Sequence, residues 1–250
     1  MTNLSSESYA AFATPESTSR VAQFLEWLAR SRALPARLKV VDVGCGPGRL
    51  FSVFHTLGWQ AAAMEPDPDF HEAATDAAAA VGYPAPLRGG FLAMESEAAF
   101  DLVAAINDPF SHLLTGAERA EALRRVHRAL RPGGVLLFDV PNFLWVLKNY
   151  RAPEPMRAQV PGGEVHLRRE HVIDFHAATF TTLEHYELVH GAERHQSTKA
   201  HVYAMTTLPE LTYLLEQAGF SGVETYGSWN ARSAESIEGS RLILSAVRPT

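Results

Sequence analysis

The sequence predicts a doubly wound α/β fold: a mostly parallel sheet with helices on both faces and an antiparallel β segment inserted after the fifth strand. Three observations predict it. Over residues 39–140, strand-length apolar runs alternate with amphipathic helical stretches, the pattern of successive βα units. Several runs, such as 39–43 and 135–140, are almost continuously apolar, as strands buried on both faces are. Between residues 164 and 205 the chain turns rich in Thr, Val, His, Phe and Tyr and loses its helical period, which marks antiparallel strands.

Each element has a local cause. Thr14, Pro15 and Glu16 supply a cap, an N1 proline and a first-turn acid, and Val21, Phe24, Leu25 and Leu28 then share one helical face. A strand over 39–43 runs into a glycine-rich turn at 44–48, a helix over 49–57 is stopped by Gly58, and a short strand follows at 60–64. Asp67 and Pro68 open an alanine-rich helix that ends at Gly82, and residues 84–90 hold a short third strand. A strand at 101–106 precedes a helix opened by the capping box Thr115/Glu118, with Leu123, Val126 and Leu130 inward. A turn at 131–134 leads into the strand 135–140. Three antiparallel strands are expected in the insert, with breaks at 176–178 and 191–193. Thr207 and Glu210 then start a helix with Leu211, Leu214 and Leu215 inward, and strands at 223–226 and 242–247 close the chain. The expected division is an N-terminal arm and helix over 1–38, a core over 39–150, an antiparallel lid over 151–206, and the last helix and strands over 207–250.

Composition bounds the function. The 250 residues are 46% hydrophobic, enough for a sizeable core, and carry a formal net charge of −6, which argues against nucleic-acid or anionic-membrane partners. A single cysteine, Cys45, forbids an intramolecular disulfide, and the first twenty residues lack the basic start and apolar run of a secretory leader. A cytoplasmic setting is therefore expected, with monomer and homodimer both open. No apolar run reaches the length of a membrane span. The insert holds seven histidines, but at ordinary strand spacings and not as a ligand set, so no metal is expected.

The strongest chemical signal is Val40-Val41-Asp42-Val43-Gly44-Cys45-Gly46-Pro47-Gly48. A strand enters a turn whose glycines let main chain pass close beneath a ligand, at the carboxyl end of the sheet where such folds bind ligands. A dinucleotide site reads G-x-G-x-x-G, with its pyrophosphate on a helix N-terminus. The spacing here is G-x-G-x-G, which suits a nucleoside without phosphates and argues against a nicotinamide oxidoreductase. Glu65 stands at the end of the second strand, roughly 20 residues past the turn, where a carboxylate can accept from ribose hydroxyls.

These residues carry a resemblance. Val41-Asp42-Val43-Gly44-Cys45-Gly46-Pro47-Gly48 resembles the first motif of class I S-adenosylmethionine-dependent methyltransferases. Glu65-Pro66-Asp67 resembles their ribose-binding second motif, and Leu130-Arg131-Pro132-Gly133-Gly134-Val135-Leu136 the turn into their fifth strand. The resemblance implies a seven-stranded sheet of order 3-2-1-4-5-7-6 with an antiparallel seventh strand, and S-adenosyl-L-methionine as cofactor. It implies that Gly44, Cys45 and Gly46 approach the methionine part, that Asp42 orients that part through its amine or a water, and that Glu65 and Pro66 take the ribose. Gly90 and Phe91 would flank the adenine, and Ile106 and Asn107 would face the transferred methyl. In an N-terminal arm that similar enzymes fold over the cofactor, Tyr9 either touches the methionine end or packs. Cys45 reads as a small filler of the turn, since no neighbouring histidine supports a nucleophile.

The acceptor side is read from two alignments. Asn107-Asp108-Pro109-Phe110 partly resembles the motif of enzymes that methylate exocyclic amines in nucleic acids and proteins. Asp108-Pro109-Phe110-Ser111-His112-Leu113 resembles a segment of small-molecule N-methyltransferases. The acidic balance and the lid favour the second, and a methyl transfer to a small molecule, at nitrogen or at oxygen, is the expected activity. A noncatalytic S-adenosylmethionine-binding protein is the alternative. His112 is the candidate base, or else a backbone-bonding residue of the loop. Asp108, Tyr150, Arg151, His171 and Tyr203 are candidate acceptor contacts.

Overall fold

The computed structural model describes residues 12, 15–160, 163–233 and 237–250. Helix α1, Pro15–Ser31, buries Val21, Phe24, Leu25 and Leu28, as their spacing predicts; its expected cap, Thr14, lies outside the described residues. Strand β1, Lys39–Val43, pairs in parallel with β2, Gln60–Glu65, on one side and with β4, Phe100–Ala105, on the other. Strand β3, Leu87–Arg88, is only two residues long and pairs at the end of β2, because Pro84 and Pro86 leave little chain free to join a ladder. Strand β5, Leu130–Pro141, absorbs the expected turn at 131–134 as an irregular start, then continues β4's far edge.

Strands β10, Ser221–Tyr226, and β11, Arg241–Val247, complete the sheet, with β11 antiparallel between β5 and β10. The order β10-β11-β5-β4-β1-β2-β3 is the expected topology. Alternate strand residues feed two apolar layers. Val40, Leu102 and Ile243 pack with α1, with α2 (Phe51–Thr56) and with α3 (Pro68–Ala80). Val41, Val103 and Leu244 pack with α4 (Gly116–Ala129) and α6 (Leu208–Gln217). The predicted caps at Asp67 and Thr115 form: Asp67 accepts from the amides of Asp69 and Phe70, and Thr115 and Glu118 close a reciprocal capping box, whereas Thr207 stands at the N-cap of α6 without a side-chain cap bond. Helix α2 is shorter than expected, since residues 48–50 are spent in the turn.

Helix α5, Phe143–Lys148, leads into the insert. It is a sheet of four antiparallel strands, one more than the sequence predicts: β6, Met156–Val160; β7, Gly163–Asp174; β8, Thr179–His190; β9, Glu193–Ala204. β6 is a short edge strand beside two prolines, Pro153 and Pro155, which mask it. The other three turn near the predicted breaks. On β8, Phe180, Thr182, Glu184, Tyr186 and Leu188 are buried in strict alternation, so one face of the insert is turned onto the rest of the molecule. Among the described residues, no helix is long and apolar enough to cross a membrane, and no group of three or more metal-ligating side chains occurs.

Candidate active site

The carboxyl ends of β1, β2 and β4 open into a cleft of about 640 Å³. Its floor is main chain. Leaving β1, Gly44 takes φ +74°, and a Cβ there would stand 2.5 Å from that of Pro109, so glycine is required by both conformation and contact. Gly46, at φ +56°, has nothing within 4 Å of where a Cβ would stand: its backbone faces open cleft. The turn is tied to β2 by the amides of Gly44 and Cys45, which donate to the Met64 carbonyl at 2.8 and 3.1 Å.

Glu65 ends β2 as a buried carboxylate. The Gly46 amide donates to its Oε2 at 2.7 Å and the Asp67 amide to its Oε1 at 2.9 Å. Burial pushes the Glu65 carboxyl up, and these two amides oppose that shift. Each oxygen keeps a further lone pair, so a diol can still be received at the cleft. Asp42 is buried at 2% exposure and is not among the residues lining the cleft. Burial pushes it up to about 7, with Arg49 opposing and Glu65 adding. It thus lies beneath the floor and not in the lining; Arg49, which lines the cleft, was not anticipated. Burial, with Asp42 and Glu65 adding, holds the Cys45 thiol well above the ordinary range. It stays protonated, as a filler does and a nucleophile does not.

The next wall runs from Ile106 to Leu113. Ile106, Asn107, Pro109, His112 and Leu113 line the cleft, as do Pro66, Gly90 and Phe91. Asn107 and Asp108 take left-handed φ of 76° and 72°, a conformation that costs non-glycine residues on the order of 1 kcal/mol each. Asp108 is not a cleft residue. It pairs with Arg241 at 2.8 Å, beside the fully buried Asp139, which also bonds Arg241 and accepts from the Asn107 amide at 2.7 Å. Its expected role as an acceptor contact is therefore replaced by an internal ion pair. Residues Pro109–His112 form a 3₁₀ turn. It presents His112, whose Nδ1 lies 3.0 Å from the Val202 carbonyl on β9. A carbonyl only accepts, so Nδ1 carries the proton and Nε2 the lone pair. Burial, with His201 and Lys199 nearby, lowers the His112 pKa, and the ring is neutral at pH 7.

The roof is the inward face of the insert, which contributes Arg169, Glu184, Lys199, His201 and Tyr203. Glu184 is their hub: it accepts from Arg169 Nε at 2.8 Å and from the Tyr186 hydroxyl at 2.6 Å, and His201 Nε2 lies 3.3 Å away. Burial alone would raise its pKa; these three partners instead hold the carboxyl down at about 2. Tyr203 lies over His112 with ring centroids 4.8 Å apart. Lys199 reaches across the cleft, donating to Asp67 Oδ2 at 2.6 Å with its ammonium 4.4 Å above the Phe70 ring.

Of the expected acceptor contacts, only Tyr203 lines the cleft. His171 is on the inward face but packs against Phe180 and Tyr150, with ring centroids 4.7 and 5.8 Å away. It sits beside α5, away from the lining. Tyr150 shares that aromatic cluster, and Arg151 is exposed just after it. Tyr9 lies outside the described residues. Arg169, Glu184, Lys199 and His201 were missed. The signal for them was the period-two alternation of β7, β8 and β9, which sets them on the same face as Phe180 and Tyr203.

Residues 40–134 match the family model described as a methyltransferase domain. No curated protein matches by sequence. The fold is close to that of several solved structures. DesVI of Streptomyces venezuelae has a TM-score of 0.79 at 18% identity, over 100% of each chain. An S-adenosylmethionine-dependent methyltransferase of Clostridium acetobutylicum has 0.78 at 12% identity, over 97% of this chain and 95% of that one. CalS10 of Micromonospora echinaspora, described as an amino pentose methyltransferase with S-adenosylmethionine bound, has 0.74 at 17% identity, over 99% of this chain and 98% of that one. The chain has the fold of a class I S-adenosylmethionine-dependent methyltransferase. The segment that matches the family model builds β1 to the start of β5 and the cleft floor.

Proposed function

We propose that this protein transfers a methyl group from S-adenosyl-L-methionine to a nitrogen of a small-molecule amine. The observation that carries the proposal is the pairing of two unlike ends in one cleft. One end has a glycine floor and a doubly amide-bonded Glu65; the other has a neutral imidazole under a tyrosine. The donor fits the residues present: Gly46 leaves open space where a side chain would stand, and Glu65 retains lone pairs for a ribose. When bound, S-adenosyl-L-methionine supplies an electrophilic methyl group on a sulfonium.

The residues then have distinct tasks. Gly44 and Gly46 let main chain lie against the donor, Glu65 and Pro66 take the ribose, and Gly90 and Phe91 flank the base. Asn107 and Ile106 border the reacting centre. The roof excludes water and narrows the acceptor's orientations, which is where most of the rate of such a transfer is found. His112, with Nε2 unprotonated, receives the proton that the acceptor nitrogen loses. A cleft of about 640 Å³ is of small-molecule size, and the net charge of −6 disfavours nucleic acid. A solved structure of similar fold, KedS8 of a Streptoalloteichus species, is described as a sugar N-methyltransferase; with the amino pentose enzyme above, it supports an amine on a small polar ring.

The test begins with calorimetry of the pure protein against S-adenosylmethionine and S-adenosylhomocysteine. Labelled methyl transfer follows, onto a panel of amino sugars, simple amines and their hydroxyl analogues. Binding of both ligands and label on amines alone is expected. Label on hydroxyls alone would overturn the choice of nitrogen, and binding without transfer to any acceptor would favour a regulatory protein.

A further inference from the structure

We propose that Arg241 and Arg119 are positioning residues for methyl transfer: they grip the two ends of segment 107–113 and preset Asn107 and His112 against the cleft. The inference rests on the reading of that cleft as a methyl-transfer site.

At the leading end, Arg241 of β11 holds the Asp108 carboxylate at 2.8 Å and also bonds Asp139, which takes the Asn107 amide at 2.7 Å. Two successive non-glycine residues sit there in left-handed backbone, which persists only where the surroundings over-determine it. At the trailing end, Arg119 of α4 donates from Nη1 to the Leu113 carbonyl at 2.8 Å and from Nη2 to Glu210 of α6 at 2.8 Å. Neither arginine, and neither Asp108 nor Asp139, lines the cleft, so the charges are not there to meet a ligand.

Their burial has no obvious gain in stability, since apolar packing of equal volume serves as well or better than a buried ion pair. What a guanidinium fork adds is fixed direction toward two acceptors at once. Both forks start on elements of the core, not of the insert. The wall that carries His112 therefore stays in place when the roof, which touches it through the Val202 carbonyl, moves to admit an acceptor. A displacement of about 1 Å at such a wall is enough to cost about 100-fold in rate.

The test compares wild type with Asp108→Asn, which is near-isosteric, and with Arg119→Lys and Arg241→Lys, which keep the charge and lose the fork. Each is followed by thermal unfolding, by amide hydrogen exchange and by the NMR signals of the His112 ring, with His55 on α2 as reference. Melting within a few degrees of wild type is expected. Exchange over 107–113 should quicken about 10-fold, the His112 signals should move, and those of His55 should not. Affinity for S-adenosylhomocysteine should fall a few-fold, because Asn107 borders its site. Folded variants whose exchange and His112 signals match wild type would overturn the proposal. A wild type that exchanges slowly over 107–113 but binds no S-adenosylhomocysteine would instead overturn the functional reading, and with it the catalytic meaning of the grip.

Discussion

The floor of the cleft is main chain, whereas its roof is side chains. On the floor, glycines at fixed positions and the Glu65 carboxylate, clasped by two amides, leave little that can be exchanged without breaking the turn. On the roof, Glu184 organises Arg169, Tyr186 and His201 by side-chain contacts alone. A ligand common to many enzymes is met by backbone, and a ligand particular to one is met by side chains on a replaceable sheet.

Removing Glu65 tests that contrast most severely. Glu65→Ala deletes the proposed ribose acceptor and strips the Gly46 and Asp67 amides of their partner. Loss of charge-assisted hydrogen bonds at about 1.5–3 kcal/mol each predicts at least a 100-fold fall in S-adenosylhomocysteine affinity by calorimetry. Retained affinity would break the assignment of the floor to the cofactor. Gly44→Ala is expected next in size. Its Cβ would stand 2.5 Å from Pro109's at φ +74°, and strain of about 1–3 kcal/mol should appear as a lower melting temperature together with weaker binding.

The roof should answer differently. Glu184→Gln removes the charge that three partners share, so acceptor turnover should fall about 10-fold, or roughly 1.4 kcal/mol, while S-adenosylhomocysteine affinity stays within a factor of two. Equal losses in both would erase the distinction between the two walls. Protonation sharpens it further. Asp42 is pushed up to about 7 by burial. The folded protein thus holds a proton that the unfolded chain has released, and stability falls as pH rises from about 4 through 7. Glu184 is held down at about 2, so its contribution is present above about 4.5 and lost as pH falls toward 2. Melting curves should decline between pH 5 and 8 in wild type and less steeply in Asp42→Asn, where the buried Asp108 and Glu65 carboxyls, also pushed up by burial, keep part of the slope.

The same contrast governs what the sequence discloses. The glycine turn, Glu65 and the caps at Asp67 and Thr115 were legible because each rests on local backbone demands that few residues meet; the sheet order followed from the family resemblance that those motifs carry. Asp108 was misread because its partner, Arg241, is 133 residues away and no local pattern announces the pairing. His171 and Tyr203 both lie on the inward face, yet only Tyr203 reaches the cleft. Alternation reports which face a residue takes, not where along the strand the cleft lies. Lys199, Glu184 and Arg169 were hidden among charged strand residues that look solvated until register sets them opposite one another.

The smallest effect is predicted where roof and floor touch. Lys199 bonds Asp67 at 2.6 Å, but both side chains are about a quarter exposed, at 27% and 26%, where an ion pair is worth at most about 1 kcal/mol. Its place above Phe70 adds about 0.5–1 kcal/mol. Asp67 also caps α3 through the Asp69 and Phe70 amides, and those bonds do not need the lysine. Lys199→Met should therefore lower the melting temperature by a few degrees at most, at about 2–4 °C per kcal/mol for a chain of this size. It should speed S-adenosylhomocysteine release by no more than about fivefold in stopped-flow experiments, with the difference shrinking as salt rises. A much larger acceleration would mean that the roof, through this one contact, holds the cofactor as firmly as the floor does.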